Sequence, residues 1–332
     1  MQAIRAGNHE LSTRRVCRVY SRVDHLAGGI NVRKEVVGGA RNADLVRIQY
    51  EDFWSELLQY ARRFVAEEPH NLARALNLCL AAYPSRPRKV RWLRGRRVAS
   101  TIVGRPLPPR LSSRCLRMII RGAVTDLIAS YCASDTKRII ELGSGWGANL
   151  FNLWLAGTPR AAEYVALEYT EAGREATRLL ASTEPDLRLQ IQPFDYNDPD
   201  LSAYRSTDKT LVFSCHSIEQ ITTLGDAVFE ELLAIPGLDR VVHIEPVGGQ
   251  LLANSAAGPF LKAASLILPP RLSLEIDVLR RSRKTGYNAN LVPKLRALET
   301  AKRIRIERIE KDYVGGNPLN PGTAIVWRRL TG

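Results

Sequence analysis

RIIELGSGWGANLFNLW, residues 138–154, decides the fold. Ile139, Ile140 and Leu142 make an apolar run of strand length, glycines follow at 143, 145 and 147, and a helix opens at once. Glycine removes side chains where the backbone must turn sharply and lets a ligand approach closely. The first amides of the following helix have no intrahelical partners and face whatever sits in the turn. The pattern predicts a strand–turn–helix unit built around a nucleotide-type cofactor.

Two cofactor classes fit these glycines. Gly143-x-Gly145-x-x-Ala148 satisfies the dinucleotide fingerprint, with Glu168 about where a ribose-binding acid would lie. Three features pull the other way. Glu141 precedes the first glycine by two residues, Gly147 extends the pattern to E-x-G-x-G-x-G, and the motif begins deep in the chain rather than near its start.

Over about residues 112–329 the chain resembles the class I S-adenosylmethionine-dependent methyltransferases. The resemblance is carried by Glu141, Gly143, Gly145 and Gly147, by Glu168 in EYVALEYT, and by Asp195 in LQIQPFDYND, at the ends of three successive strands. It implies that Glu141 lies at or near the methionine end of the cofactor, that Glu168 takes both ribose hydroxyls, and that Asp195 lies near the adenine amino group. Ser144, Tyr169 and Tyr196 complete the expected cofactor-binding set. Each acid also has a plainer reading. Glu168 suits a helix N-terminus, Asp195 has Asp198 and Asp200 nearby as rival N-caps, and Glu141 can cap the turn or bind a neighbouring basic side chain.

Outward from the motif the chain alternates. Strands are predicted at 138–142, 163–168, 187–192, 210–214 and 240–245, with helices at 148–156, 171–182 and 219–235 and a short one at 198–204. Short links between strand and helix mean right-handed crossovers and a parallel, doubly wound sheet. Residues 302–311 and 323–329 read as an antiparallel hairpin joined by the turn-rich GGNPLNPG. Such a pair also closes the sheet in the family that the chain resembles, so the expected fold is α/β, Rossmann-like, with a terminal hairpin.

Residues 1–110 read as an irregular and helical N-terminal extension, a candidate substrate cover. Apolar residues from Tyr50 to Val65 recur at helical spacing up to Pro69, a second helix runs from Leu72 to Tyr83, and an Arg/Pro segment follows to Arg110. Residues 111–332 form the expected methyltransferase domain, opened by a helix from Leu116 to Tyr131. The stretch from Leu251 to Ala301 is too long for one crossover helix, which places an insertion at about 267–301. Within it, Tyr287, Asn288 and Asn290 read either as acceptor-pocket residues or as a loop before a helix.

A formal charge of +14 favours anionic partners, RNA among them, and concentrates between Arg86 and Arg97 and again at Arg280–Lys284. Five scattered cysteines without CxxC spacing argue against a disulfide framework and against a metal site. No apolar run reaches bilayer length, so no membrane association is expected, and the expected setting is cytoplasmic.

The end of the fourth strand, LVFSCHSIEQI, carries the candidate catalytic residue, His216. Ser217 and Gln220 have capping-box spacing, which predicts a helix starting directly after it. His216 reads as a general base for a hydroxyl or amine, or as a hydrogen-bonding group toward the cofactor or backbone. Glu219 is a second candidate. The segment lacks the Asn/Asp-Pro-Pro-aromatic motif of adenine, cytosine and glutamine amino-methylating enzymes, and Cys215 lacks an activator for cytosine C5 chemistry. The expected acceptor is an oxygen or nitrogen of a small molecule, peptide or protein. RNA methylation, NAD(P)-dependent oxidoreduction and a non-catalytic cofactor-binding role remain as alternatives.

Overall fold

The computed structural model describes residues 36–37, 40–41, 43–82, 91–93, 96–98, 101–102, 105–106, 113–269, 273–315 and 321–330. The irregular reading of residues 1–35, the end of the second helix at Tyr83, the side chains of the Arg86–Arg97 segment and most of the GGNPLNPG link lie outside the described residues.

In chain order the elements are β1 (Val36–Val37), β2 (Ala40–Arg41), α1 (Ala43–Glu67), α2 (Leu72–Ala82), β3 (Arg91–Leu93), β4 (Arg96–Val98), β5 (Thr101–Ile102), β6 (Arg105–Pro106) and α3 (Ser113–Ala129). The glycine motif then joins β7 (Arg138–Leu142) to α4 (Ala148–Leu155). After it come β8 (Glu163–Glu168), α5 (Glu171–Ala181), β9 (Leu189–Pro193), β10 (Thr210–Cys215), α6 (Ala227–Leu233) and β11 (Leu238–Glu245). Four helices follow, α7 (Gly248–Ala253), α8 (Gly258–Ile267), α9 (Leu274–Thr285) and α10 (Leu291–Thr300), before β12 (Ile304–Gly315) and β13 (Gly322–Arg329).

The main sheet runs β6-β5-β12-β13-β11-β10-β7-β8-β9. The five strands from β11 to β9 are parallel, and β13 and β12 are antiparallel additions. Ile139, Ile140 and Leu142 of β7 are wholly buried, as a strand covered on both faces requires. Strand order reverses between β7 and β10, and an open α/β sheet binds its ligand beyond the strand ends at such a switch point. β13 lies between β11 and β12, which distinguishes this sheet from a purely parallel dinucleotide-binding one. The Rossmann-like sheet with a terminal hairpin is therefore the observed fold.

Two apolar layers flank the sheet. One joins Leu57, Leu58, Ala61 and Phe64 of α1 to Phe151, Leu153 and Trp154 of α4, so the helices of residues 43–82 share a core with the sheet. The other sets Val228, Phe229 and Leu232 of α6 and Leu291 and Leu295 of α10 against Val212, Ile325 and Trp327. The inserted helices are pinned to the strand-four loop by amides. Asn288 donates to the Ile221 carbonyl at 2.9 Å and accepts from the Leu291 amide at 2.8 Å. Asn290 accepts from the Leu224 amide at 2.9 Å, and Gln250 donates to the Asn288 carbonyl at 2.7 Å. These bonds spend Asn288 and Asn290 on structure, in line with the plainer reading.

Cys79 and Cys132 are free thiols whose pKa burial pushes up to about 12, which leaves them unreactive near neutrality. Among the described residues no helix is long and apolar enough to cross a membrane, and no cluster has the makings of a metal site.

Candidate functional site

Gly143, Gly145 and Gly147 all adopt the left-handed region, with φ of 68°, 58° and 76°, which L side chains rarely enter. The space around them is as restrictive as the backbone. A Cβ at Gly143 would collide with Ser217, at Gly145 it would lie 2.8 Å from the Trp54 ring, and at Gly147 2.8 Å from Thr177. The loop has no room for a side chain at any of the three positions.

Two buried carboxylates flank this cradle. Glu168, at the end of β8, accepts from the Gly145 amide at 2.7 Å through Oε2. Its Oε1 takes the Thr170 amide at 3.0 Å and the Thr170 hydroxyl at 2.7 Å. A carboxylate has about four acceptor positions, so one on Oε2 is left. That supply suits a single ribose hydroxyl rather than the pair that the resemblance implies. Burial raises the pKa of Glu168, against the pull of Thr170, Gly145 and Arg174. Glu141, at the end of β7, is 1% exposed; its Oε1 accepts from Asn149 at 2.6 Å, while Oε2 is buried with no partner. Burial lifts Glu141 well above the usual carboxylate range, Asn149 opposes the shift, and Glu168 adds to it. The Ser144 hydroxyl in the loop is likewise buried and unpartnered. These orphaned polar atoms beside the glycines fit a ligand that brings donors and positive charge.

The remaining predicted cofactor residues divide. Tyr196 is 7% exposed, and its hydroxyl bonds to the Leu142 carbonyl at 3.1 Å and to Ser217 Oγ at 2.7 Å, tying the β9 loop to the ends of β7 and β10. It therefore shapes the cleft floor, and its phenol, far from being ionised, is raised further by burial. Asp195 closes a turn on itself, accepting from the Asn197 amide at 2.8 Å and side chain at 3.0 Å. Tyr169 is 37% exposed beside Glu168.

Helix α1, expected as part of a substrate cover, also lies against the glycine loop. The Trp54 ring lies over Gly145, and three residues earlier Glu51 accepts from the Glu171 and Ala172 amides at 3.0 and 2.8 Å, capping α5 from outside. Helical spacing puts Trp54 on the apolar face of α1, but its neighbour there is the glycine loop, which no local pattern reveals. Trp54→Ala is expected to weaken S-adenosylhomocysteine binding about tenfold, the scale of one aromatic contact. Trp54→Phe should abolish much of the fluorescence change on binding. Unaltered affinity in a folded Trp54→Ala protein would remove Trp54 from the site.

At the end of β10 the structure departs from expectation. A single helix over 219–235 is replaced by a short 3₁₀ turn, Ile218–Gln220, and α6, which starts at Ala227. Ser217 does not cap it; its hydroxyl donates to the Leu142 carbonyl at 2.8 Å. The turn's amides go instead to Glu245 at the end of β11: Ser217 at 3.1 Å, Ile218 at 3.2 Å and Glu219 at 3.3 Å. His216 adopts a φ of 55°, held by its amide on the Ile244 carbonyl at 3.1 Å. Its side chain is 39% exposed, with Nδ1 3.7 Å from Glu219 Oε2. Nε2 faces Gly322, where a Cβ would come within 3.3 Å. Burial pulls the His216 pKa down, but Glu219 and Glu245 hold the imidazolium more strongly, and the net shift is upward.

The second basic cluster is partly consumed by the fold. Arg280 bonds to the Ser265 carbonyl at 3.0 Å and to Asp277 at 3.3 Å.

No family model and no curated protein matches the chain. Solved structures of similar fold include the pyocyanin biosynthetic protein PhzM, 18% identical with a TM-score of 0.40 over 65% of this chain and 56% of that one. A SAM-dependent methyltransferase from Aquifex aeolicus is 15% identical with a TM-score of 0.39 over 62% of this chain and 88% of its own. A possible exported protein from Bordetella parapertussis is 16% identical with a TM-score of 0.40 over 85% of this chain and 97% of its own. The chain thus spans little more than half of PhzM. At such scores the fold assignment rests on the chain's own strand order.

Proposed function

We propose that the protein transfers a methyl group from S-adenosylmethionine to an oxygen or nitrogen nucleophile of a small molecule, peptide or protein. The observation that carries this reading is the pair of buried acids, Glu141 and Glu168, against the glycine cradle at the switch point. Glu168 suits the ribose of either cofactor, but a dinucleotide would also set its anionic pyrophosphate beside Glu141, whose ionised form burial already disfavours. A ligand with a sulfonium and an ammonium relieves the same strain. Glu141 and Ser144 would hold its methionine end, Glu168 a ribose hydroxyl, and Asp195 and Tyr169 the rim toward adenine.

When bound, S-adenosylmethionine supplies a methyl group already activated on sulfur, so the chain's own work is alignment and proton removal. His216 Nε2, which lies against Gly322, accepts the proton of the nucleophile, and Glu219 beside Nδ1 stabilises the imidazolium that results. A hydroxyl or amine that gains the methyl group must lose a proton, which gives this base a defined task.

Incubation of the full chain with methyl-labelled S-adenosylmethionine and fractionated cell extract tests the reading. Label is expected in the small-molecule, peptide or protein fraction. Label confined to RNA would replace the acceptor class, and label in no fraction together with reduction of NAD would overturn the reading altogether.

A further inference from the structure

Behind His216 lies a buried chain of polar side chains spanning three strands. Trp327 of β13, His243 and Glu245 of β11 and Ser214 of β10 are each no more than 1% exposed. Trp327 Nε1 stands 3.0 Å from His243 Nε2, His243 Nδ1 stands 2.9 Å from Ser214 Oγ, and Ser214 Oγ stands 2.9 Å from Glu245 Oε1.

The direction of every bond in this chain follows from its first member. An indole nitrogen can only donate, so His243 Nε2 must accept. Burial pulls His243 down to about 3, so the ring is neutral and its proton sits on Nδ1. Nδ1–H then donates to Ser214 Oγ, which leaves the serine's own proton for Glu245. The Glu245 carboxylate therefore receives Ser214 together with the amides of Ser217, Ile218 and Glu219. The three amides can only donate, and in this arrangement Ser214 donates as well. Burial and Glu219 push the Glu245 pKa up to about 7 against the pull of His216, the Ile218 amide and Ser214, so these partners keep a share of the carboxylate ionised near neutrality.

We infer that Glu245 is a positioning residue, its anion favoured by a one-way hydrogen-bond chain from Trp327, that fixes the left-handed His216 turn and raises the basicity of His216. The ionisable groups facing His216 are Glu219 on its own turn and Glu245 from β11. Tyr196 and Cys215, the neighbouring titratable groups from β9 and β10, are both kept neutral by burial. Arg121 of α3 and Glu141 of β7 act on Cys215 with opposite sign. Only the consequence for turnover rests on the reading of His216 as the base.

Histidine NMR titration of the full chain tests the inference directly, since the sequence holds five histidines and His216→Gln assigns the signal. Glu245→Gln should lower the His216 pKa by about one unit or more, a tenfold change in its protonation equilibrium. Trp327→Phe, three hydrogen bonds away from Glu245, frees the His243 tautomer and should shift His216 in the same direction by less. Ser214→Ala removes one hydroxyl and serves where a larger change prevents folding; it too should lower the His216 pKa. Folded Glu245→Gln and Ser214→Ala proteins with an unchanged His216 titration would overturn the inference. A lowered His216 pKa, combined with normal methyl transfer by His216→Gln, would leave Glu245 in this role and reject His216 as the base.

Discussion

Gly145→Val is expected to abolish cofactor binding, with S-adenosylhomocysteine affinity falling at least a hundredfold, or about 2.8 kcal/mol. Gly145 has a φ of 58°, a region where a β-branched residue is a steric outlier. Its amide also bonds Glu168 at 2.7 Å, and a Cβ would lie 2.8 Å from the Trp54 ring. A valine must therefore displace the loop, the acid and the tryptophan together. Gly157 provides the control, because its φ is 83° yet a Cβ there meets nothing within 4 Å. Gly157→Ala should carry a backbone cost similar in kind while leaving affinity unchanged. Equal affinity in folded Gly145→Val protein would show that the ligand lies elsewhere.

His216→Gln is expected to lower turnover about a hundredfold or more while S-adenosylhomocysteine affinity stays nearly constant. The pH profile gives the sharper result. A base works deprotonated, so wild-type kcat should rise with pH and level off above the His216 pKa. That pKa lies above the ordinary histidine value because Glu219 and Glu245 outweigh burial. In the variant this acidic limb should vanish. If His216 only positions the cofactor, affinity falls and the limb remains.

Much of this architecture was legible in the sequence because its signals are local. The strands at 138–142 and 163–168 appear at those residues, since apolar runs ending at glycines or a cap leave little freedom in their bounds. The hairpin was visible as two strand patterns around a turn-rich link, although β12 extends to Gly315 past a bulge near Asp312. The cradle was visible too, because only glycine tolerates three left-handed positions so close together.

What escaped is long-range. Ser217 and Gln220 have the spacing of a capping box, but Glu245, 28 residues from Ser217, takes the amides first. A buried carboxylate gains more from those donors than a serine hydroxyl does, and no window around residue 217 contains it. Trp54 was similarly hidden, since the same stripe that buries Leu57 and Ala61 also turns an aromatic ring onto a loop 91 residues away. Glu168 was legible as a strand-end acid, but its engagement with Thr170 and Gly145 was not, because that depends on loop conformation rather than on residue type.

Titration calorimetry of the full chain with S-adenosylhomocysteine and, separately, with NAD tests the central claim most directly. The two buried acids beside the glycine cradle predict saturable one-to-one binding of S-adenosylhomocysteine and no detectable heat from NAD. Saturable binding of NAD without binding of S-adenosylhomocysteine would contradict the account.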